Sequence, residues 1–144
     1  MSQSHRGGCH CGNLRVAFRT ALDPAQMAPR ACQCAFCRKH ATGAVSDPDG
    51  HLEFILKNPD QVHLYRFGLG ITEFVICRNC GVYAGAHMPD GEAAIGNVMA
   101  HVLDAHAQFT LPTIPVVRSG EDEDGRRMRR RNSWTPSTLV TGSA

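Results

Sequence analysis

Hydrophobic and polar residues alternate along much of the chain, a pattern that is typical of β-strands with one buried face. The clearest example is the segment in which Leu14, Val16 and Phe18 alternate with Arg15 and Arg19. Short groups of glycine, proline, asparagine and aspartate separate such segments from one another. The sequence therefore predicts a mainly β fold, with further strands at 30–34, 52–57, 62–67, 71–77, 82–88 and 93–99.

The pattern changes towards the C-terminal end of the chain. Acidic residues at 121–124 precede a basic run at 126–131, and this order of charges suits the dipole of a helix. We therefore predict a short helix at 120–131, followed by a frayed tail. Trp134 is expected either to anchor this helix on the sheet or to cover a pocket. The basic run is interpreted as solvated or paired with the acidic residues, and nucleic-acid binding is the less favoured alternative.

Length and composition indicate one soluble domain, since the chain has 144 residues, of which 42% are hydrophobic and 19% charged. We divide it into a zinc-binding unit at 1–118 and a C-terminal helix and tail at 119–144 that belong to the same domain. There is no run of about 18 apolar residues to predict a membrane span. The first eight residues are polar and lack the apolar segment of a signal peptide. Together with free thiols, these features favour a cytoplasmic protein.

Seven cysteines occur in the chain, and they fall into short motifs. Cys9 and Cys11 form one pair, and Cys77 and Cys80 form another, with 65 residues between the pairs. An odd number cannot be used entirely in disulfides, and closely spaced thiols are typical zinc ligands. The two pairs supply four ligands, which predicts a closed, structural zinc site. Other groupings of the seven thiols are also compatible with the spacing.

The remaining thiols, Cys32, Cys34 and Cys37, are one ligand short of a tetrahedral zinc site. If residues 30–34 form a strand, Cys32 and Cys34 lie on one face and can bind the same metal ion. Three thiolates leave one coordination position for water or substrate, as in catalytic zinc sites. Alternatively, His40 closes the site and makes it structural. Spacing alone does not decide between the open and the closed arrangement.

Four segments of the chain resemble the glutathione-dependent formaldehyde-activating enzyme family, which also includes centromere protein V. They are Gly-Gly-Cys-His-Cys-Gly at 7–12, Cys-Gln-Cys-Ala-Phe-Cys-Arg-Lys at 32–39, Leu-Tyr-Arg-Phe at 64–67 and Cys-Arg-Asn-Cys-Gly at 77–81. The resemblance covers about residues 5–104. It implies a zinc-binding β-tent fold of small antiparallel sheets, to which the predicted C-terminal helix is added.

The same resemblance implies two zinc ions per chain with different roles. The cysteines that match the structural zinc ligands are Cys9, Cys11, Cys77 and Cys80. Those that match the catalytic zinc ligands are Cys32, Cys34 and Cys37. The family activity combines glutathione, as co-substrate, with formaldehyde to give S-hydroxymethylglutathione. In the implied mechanism, zinc holds the glutathione thiolate in its open position, and the sulfur attacks the carbonyl carbon. The expected protein is a zinc-dependent carbon–sulfur lyase for a small thiol and a small aldehyde.

Charged residues beside the second cysteine motif are further candidates for the site. Arg38 and Lys39 directly follow Cys37. They are expected either to lower the pKa of the thiols or bind a carboxylate of glutathione, or to lie in a solvated loop. His40 and His87 are candidates for the acid–base group, but a packing or solvent-exposed role is favoured for each.

Net charge does not favour a nucleic-acid partner. The formal charge is +2, and seven thiolates with two Zn²⁺ ions would bring it to −1. The alternative to an enzyme is a zinc-stabilised binding module for nucleic acid or protein. No membrane partner is expected, and the oligomeric state stays open, with a homodimer as one option.

Overall fold

The computed structural model of the protein describes residues 2–142, which form a mainly β fold with two short α-helices. The strands are β1 (Gln3–Gly8), β2 (Leu14–Thr20), β3 (Arg30–Cys32), β4 (Ala44–Val45), β5 (His51–Leu56), β6 (Val62–Tyr65), β7 (Glu73–Cys77), β8 (Tyr83–Asp90), β9 (Ala93–Met99), β10 (Ile114–Val116) and β11 (Thr135–Thr141). The helices are α1 (Ala35–Lys39) and α2 (Glu123–Ser133). The predicted fold class is confirmed.

The strands described here join into one mixed sheet. Strands β1, β2 and β5 pair antiparallel, and residues 137–141 of β11 run parallel beside β5. The start of β11, at Thr135 and Pro136, pairs instead with β9. Strand β9 leads through one edge to β8, β7 and β6, and through the other to β4, β3 and β10. Strand β11 therefore connects two groups of strands, and the parallel pairs β5–β11 and β3–β10 make the sheet mixed.

The core follows the alternation seen in the sequence of β2. Leu14, Val16 and Phe18 are each at most 1% exposed, and they face Leu56, Phe54 and Leu52 of β5 in the strand register. Burying an aliphatic or aromatic side chain of this size contributes about 1.5–3 kcal/mol. This packing holds β2 on β5 and so fixes the turn between β1 and β2, which carries Cys9 and Cys11.

Both ends of the described chain are paired more extensively than the sequence predicted. Strand β1 was not predicted, yet it pairs with β2 along its whole length, and Gly7 forms a bridge with Leu103. The tail predicted to fray instead forms β11, because residues 137–141 pair with β5. The prediction of a frayed tail is therefore wrong for 137–141, while the last two residues of the chain lie outside the described part.

Helix α2 lies close to its predicted position but starts and ends later. Its first turn is capped by Asp122, whose carboxylate accepts a hydrogen bond from the Gly125 N–H at 2.8 Å. The helix ends at Ser133, and its C-cap Trp134 is 6% exposed and packs into the core. The Arg130 guanidinium lies 4.1 Å above the centre of the Trp134 ring. Trp134 thus anchors α2 on the sheet, as the first of its two predicted roles requires.

Candidate metal centres and the adjoining cavity

The first cysteine cluster joins two distant turns of the chain. Cys9 and Cys11 lie in the turn after β1, Cys77 is the last residue of β7, and Cys80 lies in the turn that follows. The four sulfur atoms lie within 4.8 Å of one another, with Cys11 Sγ 3.5 Å from Cys77 Sγ. The Leu14 and Cys80 N–H groups donate to the sulfurs of Cys9 and Cys77 at 3.2 and 3.5 Å. This is the four-thiol donor set that suits a closed zinc site.

The thiols of this cluster differ in pKa, which is lowered for the exposed Cys11 and raised for the buried Cys77. A hydrogen bond with the Asn79 side chain is the largest cause that lowers the pKa of Cys11 to about 6. Burial raises the pKa of Cys77 to about 12. A cation among the four sulfurs would compensate for the cost of holding a buried thiolate at Cys77.

The second cysteine cluster is built at the junction of β3 and α1. Cys32 is the last residue of β3, Cys34 is the N-cap of α1, and Cys37 lies within the helix. The expectation that a strand would run to residue 34 is therefore wrong, because Cys34 caps the helix by accepting the Cys37 N–H at 3.4 Å. The three sulfurs nevertheless lie within 4.8 Å of one another. The helical turn, rather than strand alternation, brings Cys34 and Cys37 together.

The three sulfurs also influence one another electrostatically. A hydrogen bond with Cys37 lowers the pKa of Cys32 to about 5, and the same hydrogen bond together with burial raises the pKa of Cys37. A cluster that shares protons in this way has the donor chemistry to hold a divalent cation as thiolates. Both clusters could therefore hold metal ions, which is consistent with two zinc sites per chain.

Among residues 2–142, no histidine, carboxylate or further cysteine joins Cys32, Cys34 and Cys37 as a fourth ligand. His40, the residue predicted to close the site in the alternative interpretation, is exposed at the C-terminal end of α1. Its ring centre lies 4.6 Å from that of Phe36 and 5.5 Å from that of Tyr83. The chain therefore contributes three thiols to this cluster, and His40 packs on aromatic rings beside it.

A cavity of about 290 Å³ opens directly onto the three thiols of this second cluster. Its apolar lining includes Phe67, Phe74, Met99 and Trp134. Trp134 thus meets both of its predicted roles, because the residue that anchors α2 also lines the cavity. A space of this size suits a small molecule rather than a segment of a macromolecule.

Tyr83 is the phenol that lines the cavity near the three thiols. It is 4% exposed, and burial, followed by the nearby charges of Cys37, Cys34 and Cys32, raises its pKa well above the usual value. The Tyr83 hydroxyl makes no hydrogen bond to other residues of the described chain. It is therefore a neutral hydrogen-bond donor available to a molecule in the cavity, and sequence reasoning missed it.

Arginine side chains form the charged part of the lining. They come from three segments of the chain: Arg30, Arg118, Arg126, Arg129 and Arg130. In the sequence, the last three are recognisable only as members of a basic run. The sequence does contain a pattern that separates them from the other arginines of the run, because positions 126, 129 and 130 share one helical face at i, i+3 and i+4 spacing.

The other charged candidates lie outside the cavity lining. Arg38 and Lys39 are exposed at the end of α1, so they are not placed to bind a molecule inside the cavity. His87 is buried in β8, where its Nδ1 is 2.8 Å from Ser137 Oγ, and burial lowers its pKa. The structure thus gives His40 and His87 packing or structural surroundings, which is the role that the sequence favoured for them.

No family model matches the chain. Among solved structures, the fold is similar to that of a Rhodobacter sphaeroides protein whose crystal structure was determined as a structural-genomics target. The two chains are 22% identical, the match covers 75% of this chain and 98% of that chain, and the TM-score is 0.53. This similarity supports the fold alone. Over residues 2–142, no helix is both long and apolar enough to cross a membrane.

Proposed function

We propose that the protein is a zinc-dependent carbon–sulfur lyase that joins a small thiol to a small aldehyde and reverses that reaction. Glutathione and formaldehyde are the pair that the resemblance to the formaldehyde-activating family implies. The observation that supports the proposal most is the second cluster, in which three thiols, with no fourth ligand from residues 2–142, face a cavity of about 290 Å³. A structural zinc site would need no adjoining cavity.

The residues of the cavity have distinct roles in this proposal. Cys32, Cys34 and Cys37 would hold the zinc ion, which when bound supplies the Lewis acidity that keeps a thiol deprotonated at neutral pH. Tyr83 donates a hydrogen bond to the aldehyde oxygen and so stabilises the negative charge that develops there. The new bond forms between sulfur and the carbonyl carbon, and the proton lost by the thiol ends on the hydroxyl oxygen. Apolar residues such as Phe67 and Trp134 limit access of water to the reacting atoms.

The experiment is a measurement of formaldehyde loss with the purified, zinc-loaded protein in the presence and absence of glutathione. We expect a glutathione-dependent loss that disappears in Cys34→Ser. His40→Gln is the matched control, because His40 is the neighbouring candidate that lies outside the cavity, and this variant should retain activity. Circular dichroism and zinc content establish that each variant is folded. If folded Cys34→Ser is as active as the unsubstituted protein, the proposal is wrong.

We do not propose the alternative of a nucleic-acid-binding module. Four of the five arginines in the basic run of α2 form ion pairs within the protein, since Arg126 and Arg129 pair with Glu121, and Arg127 and Arg131 pair with Asp90. Acid-pairing of this run was the favoured expectation from the sequence. The cytoplasmic localisation, the thiol and aldehyde partners and the oligomeric state stay predictions.

A further inference from the structure

The cavity lined by the three thiols also has a lining rich in positively charged side chains. Five arginines line it, and within the described chain no aspartate, glutamate, histidine or lysine does so. Arg30 comes from β3, Arg118 from the loop before α2, and the other three from α2 itself. Three separate segments of the fold therefore converge to place guanidinium groups around one small space.

Two of these arginines are already occupied by a carboxylate. Arg126 and Arg129 both pair with Glu121, at 3.3 Å and 2.7 Å. Arg30 and Arg118 form no ion pair with the described residues. The Arg30 guanidinium donates to Ser46 Oγ at 2.6 Å, and that hydroxyl in turn donates to the Ser133 carbonyl.

Arg130 is the most buried member of the group, at 7% exposure. Its Nη1 donates to Thr72 Oγ1 at 2.5 Å, and its plane lies over Trp134. It also forms no ion pair among the described residues, and its buried Nε has no hydrogen-bond partner there. Burying a guanidinium group without a carboxylate partner costs desolvation free energy, unless another group compensates its charge.

The arginines also repel one another. Burial, followed by the charges of Arg129 and Arg126, lowers the pKa of Arg130 to about 10. The Arg130 side chain nevertheless stays protonated at neutral pH. Five guanidinium groups outweigh the Glu121 carboxylate and the single negative charge of a zinc ion held by three thiolates, so three positive charges are in excess at the cavity.

We propose that Arg30, Arg118 and Arg130 form an oxyanion-binding site, and that the thiol substrate of this cavity carries a carboxylate or phosphate group that binds there. The proposal rests on the proposed function, since the sulfur of the same molecule would lie at Cys32, Cys34 and Cys37. Guanidinium groups bind planar or tetrahedral oxyanions through paired N–H donors. An anion in this position satisfies unpaired donors and reduces the repulsion between the arginines.

The first measurement compares two thiols of the same skeleton, 3-mercaptopropionate and its neutral methyl ester. Each is titrated into the cobalt-substituted protein, and the sulfur-to-cobalt absorption band is followed. We expect the carboxylate form to change the band at about a tenfold lower concentration, because one charge-assisted hydrogen bond contributes at least that factor. The preference should be lost in Arg118→Gln and Arg30→Gln. Arg118→Gln is the cleaner variant, because within residues 2–142 only the backbone carbonyl of Arg118, and not its side chain, takes part in a hydrogen bond.

Arg131→Gln is the matched control for these variants. Arg131 is on the same helix and next to Arg130, but it pairs with Asp90 and does not line the cavity. It should therefore retain the preference for the carboxylate form.

The second measurement uses inorganic phosphate and acetate without any thiol, at constant ionic strength, and follows the unfolding temperature of the zinc-loaded protein. We expect stabilisation that Arg118→Gln abolishes and Arg131→Gln retains, and the more effective anion identifies the oxyanion. If both thiols bind equally and neither anion stabilises the protein, the oxyanion site does not exist, although the proposed function stands. If neither thiol changes the cobalt band but phosphate or acetate stabilises the protein through Arg118, the oxyanion site is supported and the proposed function fails.

Discussion

The two cysteine clusters should contribute very differently to stability, although each would hold one zinc ion. Cys11 and Cys77 are 66 positions apart, so a metal that joins their turns closes a long loop in the unfolded chain. Treated as a covalent cross-link, a loop of that length stabilises the fold by about 4 kcal/mol. Cys32 and Cys37 are only five positions apart, and the corresponding value is about 2 kcal/mol.

The perturbation removes two thiols from each cluster in turn. Cys11→Ser/Cys80→Ser takes one ligand from each turn of the first cluster, and Cys32→Ser/Cys34→Ser takes two from the second. None of these four side chains is fully buried, so the serine hydroxyls add little cost of their own. The first variant should lose about 4 kcal/mol of unfolding free energy and the second about 2 kcal/mol, by the loop-closure estimate.

Urea denaturation of the zinc-loaded proteins in the presence of a reductant measures these losses, and atomic emission measures zinc per chain. Each variant should retain one zinc ion where the unsubstituted protein binds two. Equal losses, or a larger loss in the second variant, would show that the first cluster does not tie the two turns together. In that case the division into a structural and an open site would have to be abandoned.

Three further perturbations test other parts of the account. Tyr83→Phe should lower kcat about 100-fold with KM and the unfolding temperature unchanged, because a donor to the developing oxyanion is lost, and an unchanged kcat would remove Tyr83 from the mechanism. Glu121→Gln should cost about 1–2 kcal/mol at pH 7 in urea denaturation. Because the hydrogen bond from Arg129 lowers the Glu121 pKa to about 2 from 4.5, this difference is fully present above pH 4.5 and should vanish as the pH falls through 2. Gly7→Ala should destabilise the protein by about 1–3 kcal/mol in the same assay, because its Cβ would overlap the Val102 carbonyl oxygen, and a neutral effect would contradict the close approach at that bridge.

The strands that could be predicted from the sequence are those whose own residues alternate between apolar and polar. Strand β9 has the predicted bounds, and β2 shows the predicted burial, because alternating apolar residues report directly on a half-buried strand. Strand β11 was missed for the opposite reason. Its sequence, Thr-Pro-Ser-Thr-Leu-Val-Thr, is mostly polar, and it becomes a strand only by pairing with β5, more than 80 positions earlier in the chain. No local pattern contains that information.

The candidate site shows the same limit. Cysteine spacing was sufficient to predict Cys32, Cys34 and Cys37 as one cluster, because short loops bring them together wherever the rest of the chain lies. For the first cluster it predicted each close pair, whereas tertiary packing joins the two pairs across 65 intervening residues. The absence of His40 from the second cluster depended on the direction of its side chain after α1, which spacing does not determine. Arg38 and Lys39, the charged candidates chosen from the sequence, follow the cluster directly in the chain but do not line the cavity, whereas Arg30, Arg118 and Arg130 line it because tertiary packing brings them there.

The most direct test of the open second site is cadmium-113 NMR of the protein loaded with two cadmium ions. Two resonances are expected, one from the four-thiol cluster and one, with fewer sulfur ligands, from Cys32, Cys34 and Cys37. Addition of 3-mercaptopropionate should leave the first resonance unchanged and move the second towards it, since the second ion gains a fourth sulfur. If neither resonance moves at saturating thiol, the second site is closed, and the central claim is contradicted.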